Sequence, residues 1–229
     1  MLGAAARSAA IISRKASAQP SPDAVSDAVW GGDVGGGLAA RVKPLTLMSS
    51  ASAAPKKTIA LVGLSGVGKS SIGRRLATAM GLPFRDADTE VELAAGRPIS
   101  EIFEQYGEQA FRDGERRVIA RLLADPPHVL ATGGGAFMNP ETRALIKSLA
   151  VSVWLKADVE ILARRVGRKE TRPLLAGKDP LEVLTAQAAQ RYPAYAEADI
   201  VIETGDTPHQ VAVEAIIRAL AEKAAETAS

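Results

Sequence analysis

Gly63-Leu-Ser-Gly-Val-Gly68-Lys69-Ser70 fits the pattern of a glycine, four residues, then Gly-Lys-Ser/Thr, and few architectures can hold such a run. A β-type segment, Thr58-Ile-Ala-Leu-Val62, leads into it, and a helical period from Lys69 to Met80 leads out. In that setting the glycines let backbone N–H groups turn inward around phosphates, and the helix N-terminus adds favourable dipole charge. The expected nucleotide contacts are therefore Gly63, Ser65, Gly66, Val67, Gly68, Lys69, Ser70 and Ser71. Lys69 should reach the β- and γ-phosphates, and the Ser70 hydroxyl should ligate Mg²⁺.

The rest of the chain supplies the scaffold such a loop needs. Strands are expected at Phe84–Asp86, His128–Thr132, Val151–Leu155 and Ile200–Ile202. A helical stretch over 89–124 is punctuated by Gly96-Arg97-Pro98 and by Gly107. Asn139-Pro140 opens a helix to Leu149 as N-cap and first helical residue. Further helices run from Asp158 to about Val166, from about Pro180 to Ala198, and onward from Thr207-Pro208. Strands alternating with helices predict a parallel sheet covered on both faces, with Trp154 in its core.

Composition narrows the function classes. The chain has 229 residues, enough for one domain with at most a modest appendage. It has no cysteine, which excludes disulfides, thiolate nucleophiles and cysteine-built metal sites, and its two histidines are too few for a His-built one. Residues 1–55 hold five basic and three acidic residues, leaving 23 of each from Lys56 onward. A formally neutral body with 4% aromatic residues lacks the basic face and exposed rings of a nucleic-acid binder. No apolar run approaches the roughly 20 residues of a membrane span.

Residues 1–55 are rich in Ala, Gly and Ser and show no persistent period, so an extension too poor in apolar surface to order is expected there. Arg7, Arg14 and Lys15 precede the first acid, Asp23, as in an organelle transit peptide. The other reading, which the sequence favours, is an overcalled start with Met48 as the initiator. The folded body is expected over 56–225. A cytoplasmic monomer is expected, or a plastid location if the extension is an address.

Three further groups carry chemistry. Asp86-Ala-Asp88 puts two carboxylates two residues apart after a strand that should neighbour the phosphate loop. One could help hold Mg²⁺ while the other accepts a proton from a hydroxyl; alternatively, one merely caps the following helix. Gly133-Gly134-Gly135 can offer unobstructed N–H donors, or form an ordinary turn. Arg164, Arg165, Arg168 and Arg172 flank the charged loop 167–178, which could close as a lid over developing phosphoryl charge. Arg112, on a helix with Phe111 and Phe103, and Arg191 complete the set.

Together these residues resemble the shikimate kinase family. The resemblance rests on Gly63–Ser70, Asp86-Ala-Asp88, Gly107-Glu-Gln-Ala-Phe111-Arg112 with Glu115, Gly133–Gly135, Arg172-Pro-Leu-Leu175 and Arg191-x-Pro-x-Tyr195, in family order, and covers about Lys57 to Leu220. It implies a three-layer P-loop kinase fold, with five parallel strands in the order 2-3-1-4-5, a lid and a substrate-binding helical region. It also implies transfer of phosphate from ATP, with Mg²⁺, to the 3-hydroxyl of shikimate. By matching position, Asp88 would bind the acceptor hydroxyls and take the proton, and Asp86 would support Mg²⁺. Arg112 and Arg191, with Gly134 and Gly135, would hold the acceptor. Arg172 would be the lid arginine, Arg165 and Pro208 would sandwich adenine, and Phe103 and Phe111 would wall the acceptor pocket or simply pack in the core. Pro193 is expected to bend the helix beside Arg191. The rivals are another small-metabolite kinase of the same fold, such as a gluconate kinase, although a neutral-polyol acceptor would need no carboxylate-anchoring arginines, and a nucleotide switch, which would need no proton acceptor.

Overall fold

The computed structural model describes residues 57–166 and 179–228. The N-terminal extension and the 167–178 loop, with Arg168 and Arg172, lie outside the described residues.

All five residues of β1, Thr58–Val62, are buried. Successive strand residues point to opposite faces, so burial of every one means that both faces of the sheet are covered. The apolar run before the phosphate loop is thus the central strand. β2 is Phe84–Asp86, β3 Val129–Ala131, β4 Ala150–Lys156 and β5 Ile200–Glu203. Their order is β2-β3-β1-β4-β5, with every pair parallel. β1 registers Ile59 opposite Val129 on one side and Val151 on the other. That register brings the C-terminal ends of β1, β2 and β3 to one edge, where ligands bind in open α/β sheets.

The helices begin and end where local chemistry directs. α1, Lys69–Met80, is closed by Gly81 at φ 65°, and α2, Ala87–Ala95, by Gly96 at φ 66°. α3, Ile99–Ala124, is broken at Gly107, whose φ of 80° and ψ of 175° are not helical. The expected punctuation of the 89–124 stretch is borne out at both places. α4, Pro140–Leu149, starts at Asn139, whose side chain accepts from the Glu141 and Thr142 amides. α5 is Val159–Val166, α6 Pro180–Tyr195 and α7 His209–Ala228.

Two expectations change in detail. α6 runs as a helix through Pro193 to Tyr195, so Arg191 sits within it rather than at a break. Neighbouring packing by Trp154, Tyr192 and Tyr195 holds this end, with ring centroids 5.0–5.8 Å from Trp154. The last helix begins at His209, one residue past Pro208. Trp154 is buried in β4, as expected.

Candidate active site

The phosphate loop bridges the end of β1 and the start of α1, and three of its glycines are there for backbone reasons. Gly63, Gly66 and Gly68 have φ of 137°, 87° and 98°, in the left-handed region that other residues avoid. At Gly63 a Cβ would also stand 2.5 Å from the Leu155 carbonyl oxygen. Val67 is 1% exposed, so only its backbone can serve a ligand. Lys69 Nζ donates to the Gly63 and Leu64 carbonyls at 2.8 and 3.0 Å, folded back over its own loop.

Ser70 Oγ donates to Asp86 Oδ2 at 2.6 Å, joining the phosphate loop to the end of β2. The other oxygen of Asp86 accepts from the Asp88 amide at 3.2 Å and caps α2. The capping reading of this aspartate is therefore borne out by one oxygen, while the other engages Ser70. Asp88 is exposed on the first turn of α2 and lines the same cleft.

That cleft has a volume of about 470 Å³. Its walls are Ser65, Gly66, Gly68, Lys69, Ser70 and Ser71 of the phosphate loop and α1, Asp86 and Asp88, Thr132 and Gly134, and Arg165, Val166 and His209. One end is the glycine turn after β3, where four distant segments meet. A Cβ on Gly133 would come within 2.9 Å of Asp88 Oδ1 and would collide with Glu115. One on Gly134 would lie 3.3 Å from Ser65 Oγ and 3.5 Å from Arg191 Nη1, and one on Gly135 would lie 2.7 Å from both Arg112 terminal nitrogens. A side chain at Gly133 or Gly135 would have to displace Glu115, Asp88 or Arg112, and one at Gly134 would sit tightly against Ser65 and Arg191. Arg112 and Arg191 pack against this turn, beside rather than among the cleft walls named above.

Glu115 was quoted in the sequence pattern without a role, and the structure supplies one. Only 3% exposed, it meets Arg112 Nη1 at 2.8 Å. Its Oε1 has no hydrogen-bond partner among the described residues. Burial pushes its carboxyl above the usual range, against the pull of Arg112, and the nearby Asp88 charge adds to the rise. Arg112 also lies 5.0 Å from the Phe111 ring centroid, and Phe103 and Phe111 stack at 4.7 Å. Phe111 is core and backs Arg112; neither ring lines the cleft.

At the opposite end Arg165 donates to the Gly205 carbonyl at 2.5 Å and lies 3.7 Å from Asp206, fixing it on the loop before α7. His209, not Pro208, lines the cleft from this loop, and Gly68 could not carry a side chain without approaching its ring at 3.3 Å. Burial and the Arg75 and Arg165 charges hold the His209 imidazole below its usual pKa. A lone histidine after a proline gave no signal in the sequence.

A parallel sheet in this order, a glycine cradle on a helix N-terminus and a carboxylate across the cleft define a P-loop phosphotransferase of the small-metabolite kinase type. The family model described as "Shikimate kinase" matches residues 65–221. A shikimate kinase of Caulobacter vibrioides is 76% identical over 164 residues, covering 72% of this chain and 82% of its own length. One from Bradyrhizobium diazoefficiens is 56% identical over 169 residues, covering 74% and 82%. Among solved structures, the Acinetobacter baumannii shikimate kinase in complex with shikimate aligns with TM-score 0.72 and 35% identity, over 74% of this chain and 96% of that one. The chain belongs to the shikimate kinase family. A Sinorhizobium meliloti gluconokinase shares the fold, with TM-score 0.54 and 21% identity.

Proposed function

We propose that this chain transfers the γ-phosphoryl group of ATP to the 3-hydroxyl of shikimate, giving shikimate 3-phosphate and ADP. The observation that carries the reading is the crowding of Asp88, Arg112 and Arg191 on one glycine turn, next to Ser65 of the phosphate loop. A small ring acid lying there can present its carboxylate to two guanidiniums and a hydroxyl to Asp88 at once. A neutral polyol would leave the guanidiniums without an anion; gluconate, itself a carboxylate, is disfavoured instead by similarity, the gluconokinase being 21% identical against 35% and 76% for the shikimate kinases.

In this reading the cradle amides and Lys69 hold the triphosphate, Lys69 exchanging its two loop carbonyls for phosphate oxygens. Arg165, Pro208 and His209 flank the base, and Arg172 is assigned to the phosphates by its place in the sequence pattern. Asp88 orients the attacking hydroxyl and takes its proton, while Arg112 and Arg191 fix the ring. Transfer is direct and in line, since no cysteine or cleft nucleophile is better placed. Ser70 Oγ and Asp86 Oδ2 are hard oxygen donors 2.6 Å apart, and no cluster of three metal-ligating side chains exists among the described residues. Such a sparse set suits Mg²⁺, which takes most of its ligands from phosphate and water. Bound there, Mg²⁺ neutralises charge on the β- and γ-phosphates.

The matched span, 65–221, lies within the proposed kinase domain over 56–225, for which a cytoplasmic monomer is the proposed working form. No helix among the described residues is long and apolar enough to cross a membrane. The test is an ADP-release assay on the purified chain with shikimate, gluconate and nucleoside monophosphates as acceptors. Release should need shikimate and Mg²⁺; release with gluconate or a nucleotide and none with shikimate overturns the proposal.

A further inference from the structure

The glycine turn after β3 owes its geometry to a group outside the cleft. The Gly134 carbonyl accepts two hydrogen bonds, from Arg191 Nη1 at 3.1 Å and from the Tyr195 hydroxyl. Both donors come from α6, one turn apart, so a single peptide oxygen ties this helix to the turn. Tyr195 is 1% exposed, and its ring is fixed by Trp154 at 5.8 Å and Phe137 at 6.4 Å between centroids. Burial pushes its hydroxyl pKa up to about 12, so it remains a donor throughout the working range.

The consequence follows from peptide geometry. Gly134 C=O and Gly135 N–H belong to one planar unit, and in a trans peptide they point in opposite directions. Drawing the oxygen toward α6 therefore aims the Gly135 N–H away from α6. That amide makes no hydrogen bond to any described residue, although the Gly135 carbonyl accepts from Met138 at 3.0 Å. The Arg112 guanidinium stands directly against Gly135.

We propose that Tyr195 is a positioning residue for the acceptor: by holding the Gly134 carbonyl, it aims the Gly135 amide at the acceptor carboxylate alongside Arg112. This rests on the reading of the cleft as a shikimate site and adds to it a residue that never touches substrate. Arg191 alone cannot replace this function, because a guanidinium drawn toward a bound anion loosens its hold on the carbonyl. The tyrosine hydroxyl also meets Arg191, but its own hydrogen has the Gly134 carbonyl as acceptor.

Tyr195→Phe keeps the ring packing and removes only the hydroxyl. Steady-state kinetics in both substrates, beside a thermal melt, should show the shikimate KM raised about five- to tenfold, as expected for one lost neutral hydrogen bond. The ATP KM should change less than twofold and the melting temperature by no more than a few degrees. An unchanged shikimate KM overturns the proposal, and so does an equal rise in both KM values, which marks a general loosening. If the variant does not fold, amide NMR of the wild-type chain decides: shikimate should shift the Gly135 amide strongly while leaving the Gly134 carbonyl carbon in place. A silent Gly135 amide, or a displaced Gly134 carbonyl, overturns it. Wild-type protein that fails to turn over shikimate would instead remove the underlying functional reading, a result separable from a normal wild type with an indifferent Tyr195→Phe.

Discussion

The two ends of the cleft are built by different means. The phosphate end is one contiguous segment whose working groups are main-chain amides, made possible by three glycines at positive φ. The other end, the proposed acceptor end, gathers residues 88, 112, 115, 134, 135, 191 and 195 around the glycine turn, and they meet only because the sheet order and α6 bring them together. Phosphate is the same in every nucleotide, so a backbone cradle suffices for it. An acceptor must be told from its competitors, and that needs charged side chains arranged in three dimensions. The first end should respond to glycine substitutions through folding and to loss of Lys69 through kinetics, and the second to side-chain changes through kinetics.

The largest expected effect is at the acceptor end. Asp88→Asn should cut kcat by about 10³–10⁴-fold, the upper range for a lost proton acceptor, while nucleotide affinity stays within a few fold. Equal losses of ATP binding and turnover would erase the division between the two ends. Lys69→Met should cost about 10²–10³-fold in kcat as a lost phosphate donor, with shikimate binding retained in a direct titration. Arg112→Ala should raise the shikimate KM by roughly 10–100-fold by removing a bidentate charged contact and leaving Glu115 buried without its cation. Unchanged shikimate kinetics would take Arg112 out of the acceptor site. Gly63→Ala should lower stability by about 1–3 kcal/mol in chemical denaturation, because its φ is strained for alanine and Leu155 blocks the new methyl.

The smallest effect is a control outside both ends. Asp199 Oδ2 accepts from Ser152 Oγ at 2.7 Å and from its amide at 2.9 Å, with Lys223 Nζ 3.3 Å from Oδ1. Partial burial by itself would raise this carboxyl, but these hydrogen bonds and the Lys223 charge hold it below the ordinary range. A folded-state pKa below the unfolded one contributes stability above the unfolded value, and that contribution fades as pH falls through the folded value. Asp199→Asn should therefore lower the melting temperature by about 2–4 °C at neutral pH and flatten its fall in acid, without touching either KM.

The fold was nearly all legible in the sequence, because its signals are local. β1 is a continuous apolar run, the phosphate loop is a fixed spacing, and Gly81, Gly96 and Asn139 stop or start helices by their own chemistry. Pro193 misled, since the aromatic packing that keeps α6 helical around it comes from β4 and α6 together. At the site, Asp88, Arg112 and Arg191 were visible as charges in a matching pattern, and the structure brings all three to one turn. The supports were not. The pairing of Glu115 with Arg112, the Tyr195 hydroxyl on a carbonyl 61 residues away, and the His209 ring against Gly68 are relations between distant segments, and no local pattern encodes them.

Asp86 shows what such economy implies for the chain's tolerance to change. One of its oxygens seats the first turn of α2 and the other engages Ser70, so a single short side chain serves the scaffold and, in the proposed reaction, the metal site together. Glutamate would carry its carboxyl too far out to do both, and asparagine would keep the cap while turning one oxygen into an amide or weakening the other bond. A library screened only for folded protein and one screened only for turnover should both reject substitutions here, each for its own reason, whereas at Asp88 only the second screen should object.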